Sequence, residues 1–156
     1  MSDTNAPVSR RRFCAGACQV ASGATLATLF SACGGSPTSP GGAASTLGAV
    51  TGQFTGSGVQ VAVAGTALAD VGGAVLVEST AGVFLLARTS TSAFSAVEAV
   101  CTHEGCTITG ADGAAYVCPC HGSRYNRSGQ VLLGPASASL RQYATTFTDG
   151  VVTIAL

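Results

Sequence analysis

From residue 50 to its end the sequence predicts an all-β domain, an antiparallel sandwich or barrel of about 100 residues. Three observations carry that expectation. Apolar and β-branched residues come in short runs, turn-forming pairs separate the runs, and no stretch has the 3.6-residue period of an amphipathic helix. Val59, Val61 and Val63 alternate with Gln60, Ala62 and Ala64, the pattern of a strand with one buried face. Ala74 to Glu78 and Val83 to Arg88 are two more runs, with Ser79-Thr80-Ala81-Gly82 between them as a hairpin turn. Ala93 to Val100 forms a further run. Asp112-Gly113 supplies a tight turn before Ala114 to Val117. Leu140 to Thr148 and Val151 to Leu156 flank Asp149-Gly150 and make a closing hairpin. A domain of this size buries a modest core.

The chain divides into residues 1–33, a signal or anchor segment, residues 34–49, a flexible linker, and the β domain of residues 50–156. Residues 1 to 12 are polar and then basic, ending in Ser9-Arg10-Arg11-Arg12-Phe13, and no charged residue follows until Asp70. A basic stretch followed by an apolar one diluted with Gly, Ser and Thr is the arrangement of an export signal, and S-R-R-x-F resembles the twin-arginine type. An ordinary secretory signal or a basic-flanked anchor helix is the plainer reading of the same residues. Leu29-Phe30-Ser31-Ala32-Cys33 resembles a lipobox, which makes Cys33 a lipidation candidate, although Phe30 stands where an aliphatic residue is expected. An uncleaved anchor of about 20 residues, or release as a soluble protein, are the alternatives. Cys14 and Cys18 lie in the apolar stretch and read as small apolar residues. The Gly/Ser/Pro run GGSPTSPGGAASTLG has no hydrophobic periodicity and suits a tether that lets a small head move.

Chemistry concentrates between residues 101 and 123. CTHEGC and CPCHGS stand 11 residues apart, and within them Cys101, His103, Cys118 and His121 form a mixed thiolate and imidazole ligand set for one metal centre. Both histidines of the protein belong to it. Cys106 and Cys120 complete no second ligand set and are free to pair, which would staple one loop to the other. Such a C-x-H…C-x2-H set also suits structural zinc. Cys118-Pro119-Cys120 invites a thiol redox reading, though C-x-C matches that chemistry poorly and leaves the histidines unused. Tyr125 taken alone is compatible with an ordinary core aromatic.

CTHxGC followed by CPCHGS resembles the Rieske iron–sulfur proteins, specifically their disulfide-containing, high-potential branch in quinol-oxidising complexes of the cytochrome bc kind. The resemblance covers roughly residues 50 to 156 and includes Gly134-Pro135, similar to the family's proline loop. It implies a [2Fe–2S] cluster with Cys101 and Cys118 on one iron and His103 and His121 on the other. It also implies a Cys106–Cys120 bridge and hydroxyl donors to the sulfurs from Ser123 and Tyr125. A bridge over a loop of about 15 residues contributes about 3 kcal/mol and requires an oxidising compartment, in agreement with export. Cluster assembly in the cytoplasm likewise agrees with a signal that exports folded proteins.

Charge counting explains why such a site differs from an all-cysteine one. Two ferric ions, two sulfides, two thiolates and two neutral imidazoles sum to zero, so an added electron costs less. The potential range is accordingly about −150 to +300 mV, against about −400 mV for plant-type clusters. Each histidine leaves one ring nitrogen near the surface, and its acidity depends on the charge of the iron, so electron and proton uptake are coupled. Past deprotonation of a ligand histidine the potential falls by about 59 mV per pH unit.

These features imply a membrane-associated carrier of single electrons facing the periplasm, a subunit of an oxidoreductase complex rather than an independent catalyst. The expected donor is a quinol or a quinol-oxidising membrane subunit, and the expected acceptor a c-type cytochrome or similar carrier. Glu104 stands where complex-bound relatives often have an apolar residue, and a carboxylate there disfavours an apolar docking pocket. A second expectation is therefore a small Rieske subunit of a periplasmic oxidoreductase, similar to that of arsenite oxidase. A Rieske ferredoxin serving an oxygenase is a third, in conflict with the signal and with Cys106 and Cys120.

Composition sets the remaining limits. Beyond residue 33 there are four arginines, no lysine and six acidic residues, a net charge of about −2, and no basic face for nucleic acid. Arg124, Arg127 and Arg141 would form a small positive docking patch or, equally, ordinary solvated surface. There is no phosphate-binding glycine loop, nucleotide fingerprint or serine–histidine pairing.

Overall fold

The structure, a computed structural model, describes residues 44–156. The readings made for residues 1–33, for Cys33 and for the linker up to residue 43 lie outside the described residues. Fourteen strands account for the regular structure, in line with the all-β expectation. They are β1 (Ser45–Thr46), β2 (Gly48–Thr51), β3 (Gln53–Phe54), β4 (Gly58–Ala62), β5 (Ala74–Ser79), β6 (Gly82–Arg88) and β7 (Phe94–Glu98). There follow β8 (Gly110–Asp112), β9 (Ala115–Val117), β10 (Arg124–Tyr125), β11 (Val131–Leu133), β12 (Gln142–Tyr143), β13 (Thr145–Thr148) and β14 (Val151–Ala155). One 3-10 turn, Ala67–Ala69, starts at Thr66, whose hydroxyl accepts from the Leu68 N–H.

The strands make three sheets, ordered β1-β8-β9-β10-β11, β12-β7-β6-β5-β2 and β13-β14-β4-β3. The second sheet is the middle layer. Alternate residues of its strands enter different cores: Leu76, Leu85, Ala87 and Val97 face one, and Val75, Val77, Phe84, Leu86 and Ala96 face the other. Burial on both faces is why β5 and β6 read as continuous apolar runs, whereas β4 alternates buried Val59 and Val61 with exposed Gln60. Leu85 and Leu86 are wholly buried, and truncating either to alanine costs about 2–5 kcal/mol.

Two expectations need correction. The linker of residues 34–49 ends too late, because β1 pairs with β8, and β2 pairs with β5 in the one parallel match of the fold. Those few residues gain a sheet edge to pair with, which no local signal announces. The run Leu140 to Thr148 is also not one hairpin arm. Gln142–Tyr143 pairs with β7 and Thr145–Thr148 with β14, and Leu140 ahead of both fills the first core while Tyr143 and Phe147 pack against the second. The strand changes sheet between them.

The other turns lie where the sequence places them. Thr80-Ala81 joins β5 to β6, Gly113-Ala114 joins β8 to β9, and Asp149-Gly150 joins β13 to β14. The loops that follow β7 and β9 carry the two cysteine–histidine motifs, and both emerge at the end of the core shared by the first two sheets.

Candidate metal centre

The two motif loops are built on one backbone plan. In the first, the Cys101 N–H donates to the Cys106 carbonyl at 2.8 Å, and the Gly105 N–H returns to the Cys101 carbonyl at 2.9 Å. In the second, the Cys118 N–H donates to the Ser123 carbonyl at 2.8 Å, and the Gly122 N–H returns to the Cys118 carbonyl at 3.1 Å. Each closing glycine has a left-handed φ, +75° at Gly105 and +71° at Gly122, which explains the shared glycine four residues after each cysteine. The disulfide Cys106–Cys120, with Cα atoms 6.6 Å apart, joins the loops across their tips.

This frame brings the four expected ligands to one end of the domain. Cys101 and Cys118 carry free thiols, each only 2% exposed, at the end of the first core beside Tyr116 and Tyr125. His103 and His121 lie further out, with ring centroids 4.9 Å apart. Nδ1 of His103 is buried and has no hydrogen-bond partner in the protein. An orphaned buried nitrogen is costly unless something fills its lone pair. Two buried thiols and that nitrogen, carried on two loops joined by a disulfide, are a donor set that fits a thiolate and imidazole cluster. Cys106 and Cys120 lie close to Cys118 as well, but their sulfurs are bonded to each other and offer no ligand.

Hydrogen bonds around the thiols favour negative sulfur. Burial raises the Cys101 pKa, yet bonds from the Tyr125 hydroxyl, the His103 backbone N–H, Cys118 and Ser123 outweigh it, and the thiol lies below its usual range. Cys118 goes the other way. Burial pushes it up more than the N–H groups of Cys120 and His121 pull it down, and a charged Cys101 beside it adds to the rise. Tyr125 is raised by burial and by its bond to Cys101, and Tyr116 is raised by burial despite the neighbouring Arg127. Both phenols are therefore protonated at neutral pH.

A third segment closes the site. Gly134 packs so near the second loop that a Cβ on it would lie 2.6 Å from Cα of Ser123. Ser123, fully buried, accepts from the Ala136 N–H at 3.2 Å, which leaves its own proton for the sulfur side. Thr102 donates to the Ala138 carbonyl at 2.6 Å and touches the Tyr125 hydroxyl at 3.0 Å. Residues 134–138 are thus tied to both motif loops. The Tyr125 hydroxyl is 3.3 Å from Sγ of Cys101, so Tyr125 is more than a core aromatic.

Sequence reasoning missed Thr102 and the contacts of Glu104. Thr102 lies inside CTHEGC, and a hydroxyl next to a buried cysteine was the available signal. Glu104, 61% exposed, has its carboxylate 3.9 Å from Nε2 of His103 and 3.7 Å from Nδ1 of His121. It was noted as a departure at this position, but its reach to both imidazoles needs the folded loops. The three arginines each have partners in the fold. Arg124 is bound to Asp112, Arg127 stacks at 4.4 Å on Tyr116 and donates to the Gly113 carbonyl, and Arg141 stacks at 4.9 Å on Tyr143. These guanidiniums hold loops and aromatic faces.

Comparison with known proteins agrees with the motif. The family model described as the Rieske [2Fe-2S] domain matches residues 55–144. The cytochrome b6-f complex iron-sulfur subunit of Chlorobaculum tepidum is 36% identical over 63 residues, 40% of this chain and 35% of that one. The cytochrome b6-f complex iron-sulfur subunit 2 of Synechocystis sp. is 48% identical over 54 residues, 34% of this chain and 30% of its own. Among solved structures, the cyanobacterial plasma membrane Rieske protein PetC3 from Synechocystis PCC 6803 aligns with TM-score 0.48 and 29% identity, covering 53% of this chain and 86% of that one. The chain thus spans about a third of the length of the curated relatives it matches.

Proposed function

The chain belongs to the Rieske [2Fe–2S] family, and on that premise we propose that it is an exported, membrane-associated carrier of single electrons in a quinol-oxidising chain. When bound, the cluster supplies reversible one-electron chemistry at a potential raised by its two imidazole ligands. Cys101 and Cys118 would hold one iron and His103 and His121 the other. The observation that carries this reading is that the two disulfide-joined loops carry two buried thiols and the buried, partnerless Nδ1 of His103.

The remaining residues set the potential and the proton chemistry. Ser123 and Tyr125 aim hydroxyl protons at sulfur and so favour the reduced state. The Cys106–Cys120 bridge joins the two loops and supports the high-potential reading. His121, with its side chain 48% exposed, reaches solvent. The donor is a quinol or a quinol-oxidising membrane subunit, and the acceptor a c-type cytochrome or similar carrier. The relatives that are cytochrome b6-f subunits support this assignment. A twin-arginine signal, with Cys33 lipidated or the segment retained as an anchor, places the head outside the cytoplasmic membrane. No helix among the described residues is long and apolar enough to cross a membrane.

A second reading has an observation of its own. Glu104 puts a carboxylate at the exposed tip, facing both imidazoles, where an apolar quinol pocket would have to desolvate it. That favours delivery of electrons by a partner enzyme, as in a small subunit of a periplasmic oxidoreductase resembling arsenite oxidase. The ferredoxin reading is disfavoured by the disulfide.

Film voltammetry of the cluster-loaded full chain from neutral to alkaline pH tests the proposal. A positive potential that falls with rising pH is the expected result. A potential well below zero without pH dependence would overturn the quinol-chain reading, and a folded, metal-loaded protein with no redox wave would point to zinc. Copurification with a cytochrome b rather than a large oxidoreductase subunit separates the first reading from the second.

A further inference from the structure

The Tyr125 hydroxyl has one proton and three neighbours, and the neighbours do not want the same thing from it. A phenol donates one hydrogen bond and accepts through its lone pairs. The backbone N–H of Thr102, 3.2 Å away, can only donate, so it occupies a lone pair. Sγ of Cys101, at 3.3 Å, accepts when it is a thiolate ligand. The third neighbour is Oγ1 of Thr102, at 3.0 Å. That hydroxyl lies 2.6 Å from the Ala138 carbonyl, which can only accept, so its single proton is already committed there. At the phenol it is therefore an acceptor. Two acceptors, Oγ1 of Thr102 and Sγ of Cys101, share the one phenolic proton.

We propose that Thr102 is a positioning residue that sets the cluster potential by competing with Cys101 for the hydroxyl proton of Tyr125. The proposal rests on the reading of Cys101 as a cluster ligand. A charged acceptor attracts the proton more strongly than a neutral one. In the reduced state the sulfur carries more negative charge and takes the larger share, and in the oxidised state Thr102 holds more of it. The competition weakens the bond that favours reduction, and the potential is lower than Tyr125 alone would make it. The link from Thr102 to Ala138 makes this setting depend on the 134–138 segment. A displacement of that segment frees the threonine proton to turn toward the phenol and changes the share left for sulfur.

The test is the reduction potential of the cluster-loaded full chain in four forms besides wild type: Thr102→Val, Thr102→Ser, Tyr125→Phe and Thr102→Val combined with Tyr125→Phe. Visible circular dichroism verifies that each carries an intact cluster. Thr102→Val, which keeps the shape and removes the oxygen, shifts the potential upward, while Thr102→Ser stays near wild type. Tyr125→Phe shifts it downward, and the double variant matches Tyr125→Phe alone, because without the phenolic proton there is nothing to compete for. A merely structural role for Thr102 would not disappear in the Phe background. An unmoved or lowered potential in Thr102→Val, with Tyr125→Phe lowered, overturns the proposal and leaves the ligand reading standing. An unmoved potential in Tyr125→Phe overturns both. Thr102→Ala removes the same hydroxyl with less bulk and is read in the same way where Thr102→Val does not load.

Discussion

The imidazole rings of His103 and His121 meet edge to face, their planes at 90° and their centroids 4.9 Å apart, although the residues belong to different loops. The carboxylate of Glu104 lies within 4 Å of a nitrogen on each. One exposed charge thus faces both groups assigned to the outer iron.

A fixed negative charge there favours the oxidised state, so Glu104→Gln is expected to raise the potential. The carboxylate is well exposed, and water reduces the effect to about 1 kcal/mol or less, which is about 40 mV for one electron. Voltammetry at low and high salt checks it, since the difference between the two proteins should shrink as salt screens the charge.

Ser123→Ala is expected to act twice. It removes a donor aimed at sulfur, which lowers the potential, and it strips the buried Ala136 N–H of its acceptor. An unsatisfied buried N–H costs about 1–3 kcal/mol. Potential and thermal unfolding should both fall, whereas a residue that only tuned the cluster would leave unfolding of the cluster-free protein unchanged.

Replacing both Cys106 and Cys120 by serine removes a crosslink with a sequence separation of 14. The expected loss is about 3 kcal/mol, and the thermal midpoint falls by about 10 °C. The loops then part more readily, so bleaching of the visible spectrum under a chelator should accelerate in step.

Alkaline pH should unfold the cluster-free protein through its phenols. Tyr116 and Tyr125 are fully buried, with pKa values raised by burial. A pKa raised in the fold means that the stability is whole below the unfolded value of about 10 and is lost as pH rises through the folded value. Phenolate absorbance from these two residues should therefore appear together with loss of ellipticity. Absorbance from either one in a still-folded protein would contradict the burial.

Legibility followed from how local each signal was. The Val59-Val61-Val63 alternation and the turns at Gly113 and Asp149 depend on neighbours in the chain, and these elements appear where the residues place them. The two cysteine–histidine motifs are equally local, since each lies within one short loop. What stayed hidden depends on distant partners. The strand Gly48–Thr51 exists because β5 offers an edge, and the run from Leu140 divides because its two strands pair in different sheets. For Arg124 and Arg127 the sequence leaves a docking patch and plain surface charge equally open, and their partners Asp112 and Tyr116 come from elsewhere in the fold. The same holds for Thr102, whose role depends on Ala138 and Tyr125, 36 and 23 residues away.

The matched backbone pattern of the two loops has a kinetic consequence. The four N–H groups of Cys101, Gly105, Cys118 and Gly122 are occupied within the loops, so the donors left to face sulfur, from His103, Cys120 and His121, are held in place by the frame. Dipoles fixed in advance need not reorient when charge arrives. Such a centre gains and loses its electron with little nuclear rearrangement, and both hops can then run fast on a small driving force.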